Sequence, residues 1–198
     1  MQTFRGCRFW ATHEAAVCYP SNNGHSIANR DCMYCKNRNH KVSKGLVAGA
    51  IGGLAASWIM TRFQFLIAHA LGHTDPHEGQ GEDATVKTAQ KISTEILDHK
   101  LSAKEKKSAG PLVHYAYGTG IGALYGGLAQ RNKTTTTGFG GAYGAAAWAL
   151  GDEIAVPGLG LGRKPTETPL SQHFQGLAAH LVYGITLEGV RRLALKAL

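Results

Sequence analysis

Residues 45–61 contain no Lys, Arg, Asp or Glu, and neither do residues 111–130. A helix on the surface of a soluble protein keeps a charged face toward water, so these runs do not read as ordinary surface helices. Cysteine is confined to residues 1–44, where all four sit. Catalytic signatures are missing as well: there is no GxSxG, no P-loop and no HExxH. No catalytic motif is therefore present, and neither an enzyme activity, a cofactor nor a bound metal is expected. The first twenty residues hold Arg5, Arg8, His13 and Glu14 and no uninterrupted apolar stretch, so no cleavable signal peptide is visible.

The chain is instead rich in glycine. It has 26 glycines in 198 residues, about twice the usual share. Gly45, Gly49 and Gly53 stand four apart in the first charge-free run, and Gly118, Gly122 and Gly126 repeat that spacing in the second. In water each interior helix glycine costs about 1 kcal/mol against Ala. In a bilayer, lipid cannot drive helices together, and small residues four apart permit close backbone packing. Gly176 and Gly184 flank His180 at the same spacing. Gly118-Thr-Gly120-Ile-Gly122 superficially resembles a dinucleotide loop, but it follows no predicted strand.

The mean hydropathy of -0.16 averages polar segments, 1–44 and 74–108, with strongly apolar ones. Four segments are long enough to cross the hydrocarbon core: 45–71, 111–130, 134–156 and 170–187. The expected fold is all-α, a four-helix transmembrane bundle with glycine-zipper packing. One amphipathic extramembrane helix joins it over 84–107, with Ala89, Ile92, Ile96, Leu97 and Leu101 as its apolar stripe. Gly110-Pro111 is expected to end that helix and start the second span. Arg62 fits a side chain that snorkels to the interface.

Lysine and arginine orient the spans. Arg38, Lys41 and Lys44 precede the first, Arg131 and Lys133 lie between the second and third, and Arg191, Arg192 and Lys196 follow the fourth. With an even number of spans all three groups share one side, the cytoplasm, as do both termini. The net charge of +8 is thus a topology signal. It forms no aromatic-interleaved stripe of the kind that binds nucleic acid. The expected partners are the bilayer and either further copies of the chain or a membrane complex.

Residues 1–44 lack periodicity and read as a disordered cytoplasmic segment. Met33, ahead of a basic stretch, is an alternative start. Cys32 and Cys35 form one CxxC, but Cys7 and Cys18 lie at irregular spacings, and Lys36 rules out the CxxCH haem pattern.

The topology brings titratable groups from all four spans to the outer membrane level. His69 and His73 end the first span, His114 begins the second, Asp152 and Glu153 end the third, and His173 begins the fourth. His180 lies two turns deeper. Intramembrane ionisable residues are costly and usually partnered. Imidazoles beside carboxylates suit pH-dependent behaviour and, with no regular ligand spacing behind it, divalent metal. In the plainest reading they simply face water. On the inner side Glu188 pairs by helical spacing with Arg191 and Arg192, an interface anchor.

The segment 138–193 resembles the YagU-like family of bacterial inner-membrane proteins. The resemblance rests on the small-residue run Gly138-Phe-Gly-Gly-Ala-Tyr-Gly-Ala-Ala-Ala and the loop Val156-Pro-Gly-Leu-Gly-Leu-Gly. His180-Leu-Val, Glu188 and Arg191-Arg192 in the last span complete it, and the Gly-Leu-Val-Ala-Gly opening at Gly45 also fits. It implies a multi-pass inner-membrane protein linked to acid resistance, with no assigned activity. A structural accessory subunit of a membrane complex is the second expectation, and an oligomeric transporter or channel the third.

Overall fold

The structure, a computed structural model, describes residues 28–72 and 83–198, with the backbone alone for 28–39 and Leu97. His73, Cys7, Cys18, the side chains of Cys32 and Cys35, and the Met33 side chain lie outside the described residues. The chain divides into two units, 1–39 and 40–198. Of the first unit only the helical backbone from Ala28 is described.

Among the described residues the structure is helical, without strands. Helix α1 runs Ala28–Ala70, α2 Ala84–Leu97, α3 Ala103–Arg131, α4 Gly141–Leu150, and α6 Leu170–Ala197. Between α4 and the short α5, Val156–Gly158, the chain winds as one π-turn, Gly151–Ala155. Among the described residues one helix, over His40–Ala70, is long and apolar enough to cross a membrane.

Four expected boundaries move. Helix α1 begins at Ala28, inside the segment expected to be disordered. No Gly or Pro interrupts 28–44, and extending a formed helix adds a hydrogen bond per residue fixed. The expected 84–107 helix is two helices. Asp98 adopts a left-handed conformation, φ 50°, and ends α2. Ser102 and Glu105 then form a reciprocal capping box that starts α3. Hydrogen bonds from the Ser102 hydroxyl and backbone N–H, with His99 beside them, hold the Glu105 carboxyl down at about 2. The cap is therefore intact above pH 4.5 and is lost only as pH falls toward 2.

Gly110-Pro111 does not end a helix. It lies inside α3, where Gly110 is buried against α2: a Cβ there would stand 2.7 Å from Val86 Cγ2. That close approach selects the small-residue face of α2, so Ala89 and Ser93 are buried while Ile92 and Ile96 stay exposed. The expected stripe is therefore split: Ala89 turns inward and Ile92 and Ile96 face outward. The third expected span starts at Gly141, not Thr134. Residues 133–136 form a 3-10 turn begun by Asn132, whose side chain accepts from the Thr134 N–H and hydroxyl. Gly138, Phe139 and Gly140 then take positive φ.

Two glycine crossings set the packing. Helices α1 and α3 run antiparallel, pairing Gly45 with Gly126, Gly49 with Gly122 and Gly126, and Gly53 with Gly118 and Gly122. The contacts are backbone to backbone: a Cβ on Gly122 would lie 2.6 Å from Gly53 Cα, and one on Gly126 2.8 Å from Gly49 Cα. The second crossing joins α4 to α6, with Gly140 and Gly144 against the backbone of His180 and Gly184. Gly52 meets α6 at Leu187, which closes α1 onto the same core.

That core is small: Ala56, Met60, Tyr125, Ala179, Tyr183 and Leu187. Tyrosine hydroxyls tie it together. Tyr183 donates to the Gly118 carbonyl at 2.6 Å and Tyr143 to the Ile121 carbonyl at 2.7 Å. Outside it the usual distribution is inverted. Leu54, Trp58, Leu66, Leu112, Leu124, Ile154, Phe174 and Leu193 are all at least half exposed, while Ser57, Glu188 and Arg191 are buried. Exposed apolar area this widespread marks contact with lipid or another apolar surface.

Candidate functional site

The π-turn carries both carboxylates of the expected cluster. Widening the turn narrows the angle between successive side chains, so Asp152 and Glu153, adjacent in sequence, both address α6. Such turns recur at functional sites. Glu153 Oε1 lies 2.7 Å from His173 Nδ1, and Asp152 Oδ2 lies 3.6 Å from His180 Nδ1. The antiparallel course of α4 and α6 makes this a shallow pair and a deeper pair.

The two histidines differ in chemistry. His180 Nδ1 donates to the Gly176 carbonyl, one turn back on its own helix, at 2.9 Å. The Gly176–His180–Gly184 face is divided among partners: Gly184 packs on Gly140 and Gly144, and Gly176 lies under the Trp148 indole. His173 stands between two acceptors. Its Nδ1 faces the Glu153 carboxylate and its Nε2 faces the Pro165 carbonyl at 3.1 Å. Neutral imidazole has one N–H, whereas imidazolium has two. Only the charged ring can donate to both partners at once.

The paired groups open onto a cleft of about 1310 Å³ between the C-terminal half of α1, the start of α2, the first half of α3, the π-turn and the start of α6. His114 lines this cleft and stacks edge-on with Tyr115, centroids 5.6 Å apart. His69 is exposed on α1 and does not line the cleft. The structure therefore gathers His114, Asp152, Glu153, His173 and His180, and leaves His69 apart. Among the described residues no three His, Cys, Asp or Glu side chains are grouped to hold a metal ion.

Glu188, Arg191 and Arg192, expected as an interface anchor, form a network centred on a buried carboxylate. Glu188 is fully buried and its carboxylate accepts four hydrogen bonds. Arg191 donates two, from Nε at 2.7 Å and Nη2 at 2.9 Å; Arg192 Nε donates at 2.6 Å and Tyr125 hydroxyl at 2.8 Å. Arg191 is buried with it, under the Tyr125 ring, while Arg192 is half-exposed over Phe139. Helical spacing identified the ion pairs. Tyr125 was missed because it comes from α3, and only the glycine crossing brings it there.

No protein-family model, curated protein or solved structure matches this chain.

Proposed function

We propose that this chain is a four-span membrane protein whose outer end is a proton-operated clasp, with His173 as the group that closes it. The observation that carries this reading is the position of His173 between Glu153 and the Pro165 carbonyl. A proton on the ring joins three pieces of chain: the π-turn, the 165–167 turn and the start of α6. Loss of the proton frees one of the two partners. Histidine changes charge between about pH 5 and 8, so the clasp would work across mildly acidic conditions. An inner-membrane protein linked to acid resistance is what the resemblance to YagU-like proteins implies. That the clasp serves acid resistance is part of the proposal.

Other charges face the same cleft: Arg62 from α1, Asp83 and Lys87 from α2, Lys107, His114 and Tyr117 from α3, and Arg163. They set a background potential but do not share the geometry of His173. Hydrogen exchange isolates it. In the wild type, amides of 165–173 exchange several-fold more slowly at pH 5.5 than at pH 8 after correction for intrinsic rate. In His173→Gln, whose amide donates equally at both values, the difference disappears. Equal pH dependence in the two proteins would refute the clasp.

The membrane reading rests on the inverted distribution of apolar side chains, together with the helix over His40–Ala70. Residues 45–198 contain no cysteine, which makes topology mapping direct once the N-terminal cysteines are replaced. Asn132→Cys should react with an impermeant maleimide only after the cytoplasmic face is opened. Thr166→Cys should react from outside. Labelling of both from one side would overturn the four-span arrangement.

The accessory-subunit reading keeps one supporting observation, the exposed apolar faces of α1, α3 and α6. Both glycine faces are occupied within the chain.

A further inference from the structure

The glycine crossings also force like charges together at the end of the molecule opposite the cleft. Gly45 packs on Gly126 and on the Gln130 side chain. The last turn of α3 with its following turn, and the α1 turn around Lys44, therefore share one level. Arg131 and Lys133 stand on one side of that level, Lys41 and Lys44 on the other. Helix α6 arrives there as well: Lys44 Nζ donates to the Leu198 carbonyl at 2.6 Å, which brings Lys196 within a turn.

Such a grouping needs anions, and at this end the described residues supply, besides the Leu198 oxygen that Lys44 already holds, no exposed acidic side chain. The one carboxylate side chain at this end among the described residues is Glu188, fully buried and already held by Arg191 and Arg192. Lys41, Arg131, Lys133 and Lys196 are exposed and make no ion pair among the described residues. The remaining described carboxylates, from Asp83 to Glu167, lie on α2, the start of α3, the π-turn and the outer loop. Mutual repulsion would spread these side chains if the backbones allowed it. The zipper does not allow it, because the helices meet atom to atom at Gly45 and Gly126.

We infer that this basic collar binds the phosphates of anionic phospholipids in the adjoining leaflet. Exposed Leu46, Val47 and Leu128 lie beside it, so an acyl chain has an apolar wall directly next to the headgroup contacts. This adjacency favours a lipid over a free anion. Basic residues near a membrane surface are each attracted to anionic lipid, and several acting together discriminate strongly against zwitterionic lipid. The inference rests on the membrane reading but not on the His173 clasp, and topology labelling tests that reading separately.

The test uses the full chain in mild detergent, titrated with phosphatidylglycerol, phosphatidylcholine or inorganic phosphate and read by native mass spectrometry and thermal unfolding. Phosphatidylglycerol should remain bound and raise the unfolding temperature, with at least tenfold preference over phosphatidylcholine. Inorganic phosphate should do neither. The variant K41Q/R131Q/K133Q/K196Q should lose that preference, while K91Q/K100Q/K104Q, at the other end, should keep it. The inner variant removes only exposed charges, and its helicity by circular dichroism should match wild type. Equal retention of both lipids by the wild type, unchanged preference in the inner variant, or an equal response to inorganic phosphate would each overturn the proposal.

Discussion

Replacing Gly49 with leucine is expected to unfold the pairing of α1 with α3, whereas the same change at Gly120 should be nearly silent. A Cβ at 49 would lie 2.8 Å from Gly126 Cα and 2.9 Å from Gly126 N, and would run into the Gly122 carbonyl. These are backbone atoms of a rigid helix, so no rotamer relieves the overlap. Overpacking in cores ordinarily costs 1–3 kcal/mol. Here the helix itself must move, so Gly49→Leu should cost about 3 kcal/mol or more. Around Gly120, on the same helix α3, there is nothing within 4 Å. Gly120→Leu should cost nothing by packing and can gain from the better helix propensity of leucine. Gly49→Ala should fall between the two. Reversible unfolding of the purified protein in detergent reads all three. Similar stabilities for Gly49→Leu and Gly120→Leu would mean that the crossing does not hold the bundle together.

The glycines show how much of this architecture was legible in the sequence. Gly45, Gly49 and Gly53 and Gly118, Gly122 and Gly126 stand out by spacing alone, because a one-dimensional repeat of four maps directly onto a helix face. Which face meets which is not in the spacing. The structure supplies it: the two triads meet each other, and Gly184 turns to Gly140 and Gly144. Boundaries read less well. Gly110-Pro111 is a strong breaker by composition, but the preceding residues already form a helix started by the Ser102–Glu105 cap, and α3 continues through it. Proline removes one donor and crowds the carbonyl four residues back, and tertiary contacts at Gly110 hold α3 through that disturbance.

The candidate site was legible as a level but not as pairs. A common level follows from counting residues along each expected span, which placed His114, Asp152, Glu153, His173 and His180 together. Rotation about each helix axis does not follow from counting, so the separation of His69 could not be read. The π-turn was equally hidden. It changes the phase of every side chain after Gly151, and nothing in Gly-Asp-Glu-Ile-Ala announces it. The double acceptor at His173 depends on that phase and on the Pro165 carbonyl, which comes from the loop.

The buried carboxylate gives the second large effect. Glu188→Ala should destabilise the bundle by about 3–5 kcal/mol, because Arg191 would remain buried without its counter-charge. The loss should not be shared equally among the partners. Arg192 is half-exposed and can turn its guanidinium to solvent, so Arg192→Gln should cost about 1 kcal/mol or less. Tyr125→Phe removes one of four hydrogen bonds to the carboxylate and should cost about 1–3 kcal/mol. The double change Glu188→Leu/Arg191→Leu should recover part of the loss of Glu188→Ala, since both desolvation penalties vanish together. Coupling of that kind is what a double-mutant cycle measures. The order of effects matters more than the size of any one. A Glu188→Ala variant no weaker than Arg192→Gln would show that the carboxylate is not the centre of this network. Partial rescue by the double change would show that the ion pair's task is to neutralise Arg191 at the point where α3, α4 and α6 converge.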